Sequence, residues 1–152
     1  MVRARAAAGF TLPELLIVIT VLAILMAAGM PSFGEFVRNQ RVKTASFDLF
    51  STLVLARSEA INRNASVTVT PTGGTWHGGW TVTATGGTVL RSQEAIPDIT
   101  ITGPASVVYS GSGRLSAVVV PEFALTATGT TVVNRCIRID LSGRPVSKAS
   151  TC

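Results

Sequence analysis

The chain has 152 residues, a formal net charge of +5, 14% charged residues and 47% hydrophobic ones. A soluble domain usually carries about 25% charged residues, so an ordinary cytosolic protein does not fit. One histidine (His77) and two cysteines, with no H-E-x-x-H, C-x-x-C, G-x-x-x-x-G-K or G-x-S-x-G pattern, leave no catalytic constellation and too few ligands for a zinc site, so neither an enzyme nor a cofactor is implied.

The excess of apolar residues is local. Residues 1–9 are short, basic and free of acids, and residues 15–34, between Glu14 and Glu35, carry no charge at all. A helix that spans a bilayer needs roughly 20 mostly apolar residues. Arg3 and Arg5 place the start of the chain on the cytoplasmic side and the remainder in the periplasm. An ordinary secretory signal carries its small-residue cleavage site after the apolar stretch, whereas here Ala6 to Gly9 precede it. A plain signal anchor with Glu14 at the membrane edge is one reading.

The sequence Gly9-Phe10-Thr11-Leu12-Pro13-Glu14 supports another. It resembles the prepilin leader of type IV pilins and type II secretion pseudopilins: a glycine, then phenylalanine, then a glutamate five residues into the mature chain. The resemblance implies cleavage between Gly9 and Phe10 by an inner-membrane prepilin peptidase, and N-methylation of Phe10. It also implies that Glu14 pairs with the N-terminal amine of a neighbouring subunit during assembly. Opposite charges in low dielectric satisfy one another, while an unpaired one is penalised.

Pro31 sits within the helical stretch, flanked by Gly29 and Gly34, and a proline there removes one backbone bond and tends to kink a helix. Beyond it, 35–64 is the second, amphipathic half of one long helix. Phe36, Phe47, Leu49, Phe50, Leu53, Val54, Ala56, Ala60 and Ile61 recur mostly at three- and four-residue steps and predict the seat for a sheet. Clean heptads, which a coiled coil would need, are missing. Asn62 and Asn64 are stop signals.

From Ala65 the composition turns to threonine, valine and paired glycines, predicting strands at 66–70, 79–85, 88–91, 98–102, 106–110, 114–119, 123–127 and 132–141. The expected fold is α+β and pilin-like: a leader (1–9), a transmembrane and filament-core half-helix (10–34), an amphipathic half-helix (35–64) and a β-rich periplasmic head (65–152). The head is one antiparallel sheet or two small ones. The run Leu53-x-x-Ala56-Arg57-x-x-Ala60-Ile61-x-Arg63-Asn64-x-x-Val67, with Gly79-Trp80 and Gly143-Arg144, resembles the GspH/FimT family of minor pilins and pseudopilins. Trp80 is expected in the core, and His77 in a turn.

Cys136 and Cys152 form an even pair in a compartment that permits disulfides, and are read as a structural bridge. Between residues 133 and 152 stand Arg135, Arg138, Arg144 and Lys148 against Asp140. Arg138, Arg144 and Lys148 are candidate contacts for DNA phosphates, the plain alternative being a solvated sheet surface. Members of the FimT type are linked to DNA uptake through Gly-Arg-x-Arg, but here the motif reads Gly143-Arg144-Pro145-Val146, without the second arginine.

The resemblance implies a non-catalytic minor subunit at or near the tip of a type IV pilus, or alternatively a minor pseudopilin of type II secretion. Its partners are then other minor pilins or pseudopilins, the major pilin, the prepilin peptidase, the inner-membrane assembly platform and, in the DNA reading, DNA. Its place is the inner membrane, single-pass, with the head in the periplasm.

Overall fold

The structure, a computed structural model, describes residues 10–128 and 132–152, with side chains throughout except at residues 28–32. The expected leader therefore lies outside the described residues, apart from Phe10 at its boundary. The chain divides into two compact units, Met1–Gly34 and Glu35–Cys152. One helix, α1 (Leu12–Arg63, 52 residues), supplies the regular structure of the first unit and opens the second. Its helical assignment continues through Pro31.

The helix stops at Asn64, which adopts a left-handed conformation (φ 46°). The Ala65 N–H then reaches back to the Ala60 carbonyl at 3.2 Å, closing the last turn in the manner of a Schellman cap.

Within the second unit α1 buries Val42, Ala45, Ser46, Leu49, Thr52, Leu53, Ala56 and Ala60, mostly three or four residues apart, with Ala45–Ser46 and Thr52–Leu53 adjacent. This stripe corrects the expected one. Leu49, Leu53, Ala56 and Ala60 belong to it, and Phe50 is half-buried. Phe36, Phe47, Val54 and Ile61 are 65%, 70%, 45% and 50% exposed. At 100° per residue these four lie on the side of the helix opposite the core. Short side chains on the inner side let the strands approach closely. Hydrophobicity alone did not separate two apolar faces.

Among the described residues, eight strands make two antiparallel sheets. The first has the order β3-β2-β1-β5, from β1 (Val67–Pro71), β2 (Trp80–Ala84), β3 (Val89–Gln93) and β5 (Val107–Tyr109). The second has the order β4-β6-β7-β8, from β4 (Thr100–Thr102), β6 (Glu122–Thr126), β7 (Arg135–Ile139) and β8 (Pro145–Lys148). Alternation sets which side is buried: Val67 and Val69 of β1 face Ala84 and Val82 of β2 in register, and all four are buried.

Two strand expectations fail. Residues 114–119 form no strand: Leu115 makes one bridge to Tyr109, and Val118 and Val119 are exposed. The segment meets β5 only locally, the Ser116 N–H donating to the Val108 carbonyl at 3.0 Å and the Ser110 N–H to the Arg114 carbonyl at 2.9 Å, without forming a strand. Conversely, β8 forms where a loop was expected, because the tight turn at 140–144 returns the chain antiparallel to β7. Proline is tolerated at its first position because β8 is a terminal strand. The strand expected over 132–141 is shorter, confined to β7.

The core lies between α1 and the sheets, around Trp80, Tyr109, Phe123, Leu125, Ile137 and Ile139, all fully buried. Trp76 packs edge-on against Phe123 at 4.8 Å and donates its indole N–H to the Pro104 carbonyl. Trp80 donates to the Thr52 hydroxyl at 3.1 Å, tying β2 to α1. His77 falls in a short 3-10 turn.

Candidate functional site

In the first unit, Phe10 precedes α1 and is 80% exposed. Glu14 occupies the first helical turn, where a carboxylate complements the unsatisfied N–H groups of a helix start. The Leu15 N–H closes that turn onto the Thr11 carbonyl at 3.2 Å. Gly9, the residue expected to precede the cut, lies outside the described residues. Every described side chain from Phe10 to Ala27 is exposed, including Leu15, Ile17, Ile19, Leu22 and Leu25. Thr20 turns its hydroxyl onto the Leu16 carbonyl at 2.7 Å, so its polarity is satisfied within the helix. Among the described residues from Phe10 to Ala27, Glu14 is the sole charge, and the side chains around it are predominantly apolar. Among the described residues no helix is long and apolar enough to cross a membrane; the described apolar side chains run from Leu12 to Ala27, and residues 28–32 of the expected span are outside them.

In the second unit, Cys136 and Cys152 are bonded, with their Cα atoms 5.0 Å apart. Cys136 is buried on β7 and Cys152 is exposed, so the bridge fastens the last residue to the sheet and closes the β7–β8 hairpin. Cross-linking this loop is worth about 3 kcal/mol in the chain-entropy model. Replacing both cysteines with serine is expected to lower the stability of the head by about that amount. The check is urea unfolding of the full chain in detergent, followed by tryptophan fluorescence, since both tryptophans lie in the head core. An unchanged midpoint would remove the bridge from the stabilising elements.

Asp140 organises the turn of that hairpin. Its carboxylate accepts from the Ser142 hydroxyl and from the Arg144 N–H at 3.0 Å. Its own N–H donates to the Arg144 carbonyl at 3.1 Å. The Ser142 hydroxyl, followed by the Arg144 N–H, holds this exposed carboxyl below the usual carboxylate range. Gly143 has φ 85°, and a Cβ there would meet the Gly113 carbonyl oxygen at 2.1 Å, so the turn requires glycine. Tyr109 backs the turn. Burial pushes its phenol well above the ordinary range, leaving it neutral and structural.

Arg138, Arg144 and Lys148 are not gathered into one surface. Arg138 lies opposite Glu122 in register and pairs with it at 2.8 Å. Lys148 lies opposite Cys136, on the same outer face of the sheet as Arg138. Arg144 sits at the turn and lines an open groove of about 650 Å³ between α1 and β8, together with Lys43, Arg135, Phe47, Phe50 and Val146. Ser46 and Ser147 meet within the lining, hydroxyl to hydroxyl, at 3.2 Å. Lys43, on α1, carries no sequence signal of its own. Nothing along the chain relates it to Arg144, about a hundred residues later.

A family model described as "Type II transport protein GspH" matches residues 45–143. A second, the prokaryotic N-terminal methylation motif, matches residues 4–30. A search of curated proteins finds no significant match. Among solved structures, the type IV minor pilin FimU of Pseudomonas aeruginosa (strain PAO1) is similar with a TM-score of 0.64 at 21% identity, over 74% of this chain and 92% of that one. The minor pseudopilin EpsH of the Vibrio cholerae type 2 secretion system is similar with a TM-score of 0.59 at 12% identity, over 72% of this chain and 97% of that one. Both share the arrangement of a long N-terminal helix packed on antiparallel sheets.

Proposed function

Because the chain belongs to the GspH family, we propose that it is a minor subunit of a type IV pilus, incorporated at or near the tip and without catalytic activity of its own. The observation that carries this reading is the N-terminal half of α1. It is apolar around its whole circumference, and its single charge, Glu14, stands in the first turn. Such a helix is suited first to lipid and then to a core of like helices, while the head stays in water.

In this reading the leader, residues 1–9, is removed after Gly9 and Phe10 becomes the methylated N-terminus; the match to the methylation motif supports this. Residues 10–34 hold the chain in the inner membrane, with Arg3 and Arg5 on the cytoplasmic side and the head in the periplasm. Glu14 pairs with the terminal amine of a neighbouring subunit, which sets the register as the chain leaves the membrane. The outward row Phe36, Phe47, Val54 and Ile61 gives the second half of α1 an apolar surface for adjacent subunits. The partners are the major pilin, other minor pilins, the prepilin peptidase and the assembly platform.

Shearing surface filaments from cells and probing them for the chain tests the reading. The leaderless form is expected in the sheared pilus fraction, and its absence there would refute a pilus role. The description of the matching family as a type II transport protein favours one second reading, a minor pseudopilin. In that case deletion of the chain stops release of folded exoproteins and leaves pili unchanged.

A further inference from the structure

The groove between α1 and β8 has three properties that belong together. Its apolar lining includes Phe47, which is 70% exposed, Val146, which is 41% exposed, and the half-buried Phe50. Its cations are Lys43 from α1, Arg135 from β7 and Arg144 from the hairpin turn, and among the described residues no carboxylate lines it. One wall is β8, the terminal strand of its sheet. A terminal strand directs alternate N–H and C=O groups away from its neighbour, and such an edge is a template for another strand.

We infer that this groove receives an extended acidic segment of a different subunit, laid along the free edge of β8. Backbone bonds to β8 would supply affinity, and alternate side chains would supply specificity. The segment's apolar side chains would cover Phe47 and Val146, and its carboxylates would meet Lys43, Arg135 and Arg144.

A second copy of this chain does not fit as donor. Its eight carboxylates are dispersed. The two nearest in sequence, Glu94 and Asp98, are four residues apart, and Asp98 already pairs with Arg41. A nucleic acid strand would satisfy the three cations but would leave the strand edge unused. The inference rests on the subunit reading above only for the source of the segment.

The test uses the full chain in uncharged detergent and an acidic peptide of about ten residues, glutamate alternating with valine, long enough to run past β8. Three comparison probes are the same peptide with lysine for glutamate, the acidic peptide N-methylated at alternate amides, and a single-stranded oligonucleotide. The acidic peptide is expected to bind, more weakly as salt rises. Combining Lys43→Glu with Arg144→Glu should weaken it about tenfold or more, by like-charge repulsion. Methylation should weaken it too, by removing donors to the strand edge. Arg91→Glu, on β3 of the other sheet and outside the groove lining, should leave binding unchanged.

Phe47→Ser combined with Lys43→Gln provides a second, gentler variant, and the fluorescence unfolding midpoint monitors the fold of each. Equal binding of the lysine peptide, or indifference to both groove variants, would overturn the inference. Binding of the oligonucleotide without the peptide would also overturn it, in favour of a nucleic-acid surface. Peptide binding does not require filaments, so failure of this inference and failure of the pilus reading are read separately.

Discussion

A Glu14→Val chain is expected to be synthesised, inserted and processed like the parent, yet to reach sheared filaments at about a hundredth of its level or less. Valine is more compatible with lipid than glutamate, so anchoring is not weakened. The loss falls on assembly. In the proposed filament the terminal amine of one subunit meets the Glu14 carboxylate of the next in a low-dielectric core. Removing one partner of a buried ion pair costs about 3–5 kcal/mol, because the other charge remains buried without compensation. At about 1.4 kcal/mol per factor of ten, the lower end of that range already gives the hundredfold loss.

Quantitative immunoblots of cells and of sheared filaments check the result, with Glu14→Asp as the variant that keeps the charge. Equal incorporation of parent and Glu14→Val would dismiss the pairing. So would equal failure of Glu14→Asp and Glu14→Val, because the shorter side chain keeps the carboxylate and should restore part of the assembly.

The second large effect is expected in the head. Trp80→Ala should lower its stability by about 3–5 kcal/mol, the range for deleting a large buried aromatic. Domains of this kind are stable by about 5–15 kcal/mol in total, so the variant head would approach unfolding. Three observations concentrate the effect here. Trp80 is fully buried, its ring lies 6.3 Å from Trp76, and its indole N–H donates to Thr52 of α1. Trp80→Phe keeps most of the ring volume and loses the bond to Thr52, which is worth about 1 kcal/mol. A graded series, with alanine well below phenylalanine and phenylalanine slightly below the parent, is expected in urea unfolding and in protease sensitivity of the full chain. A loss under about 1 kcal/mol for alanine, far below the usual large-to-small cost, would show that the core closes over the vacancy and that Trp80 is not its keystone.

How much of this was legible in the sequence differs between the two units. The apolar run, the placement of Phe10 and Glu14 and the long helix are written in consecutive residues, because an apolar run and a helix start are local properties. The cysteine pairing was legible as well, since two cysteines leave one partner each. The burial of Trp80 could be expected from its size and from its place at the start of a strand.

Other features had no local signal. Phe36, Phe47, Val54 and Ile61 look like core residues by type, and only the docking of the sheets on the opposite side of α1 shows that they face outward. The run at 114–119 has strand propensity yet makes a single bridge, to Tyr109, whereas Pro145–Lys148 has modest propensity and pairs with β7 along its whole length.

The candidate phosphate contacts followed the same rule. Arg138 is close to Arg144 along the chain, yet the sheet register sets it against Glu122. Arg144 instead shares a groove with Lys43, which lies on α1. Composition and spacing were therefore enough for the family and the class of fold, because the motifs that carry them depend on neighbours along the chain. The choice of buried face, the division into two sheets, the strand β8 and the basic groove beside it depended on tertiary structure. Each of these arises from pairing and packing between residues far apart in sequence.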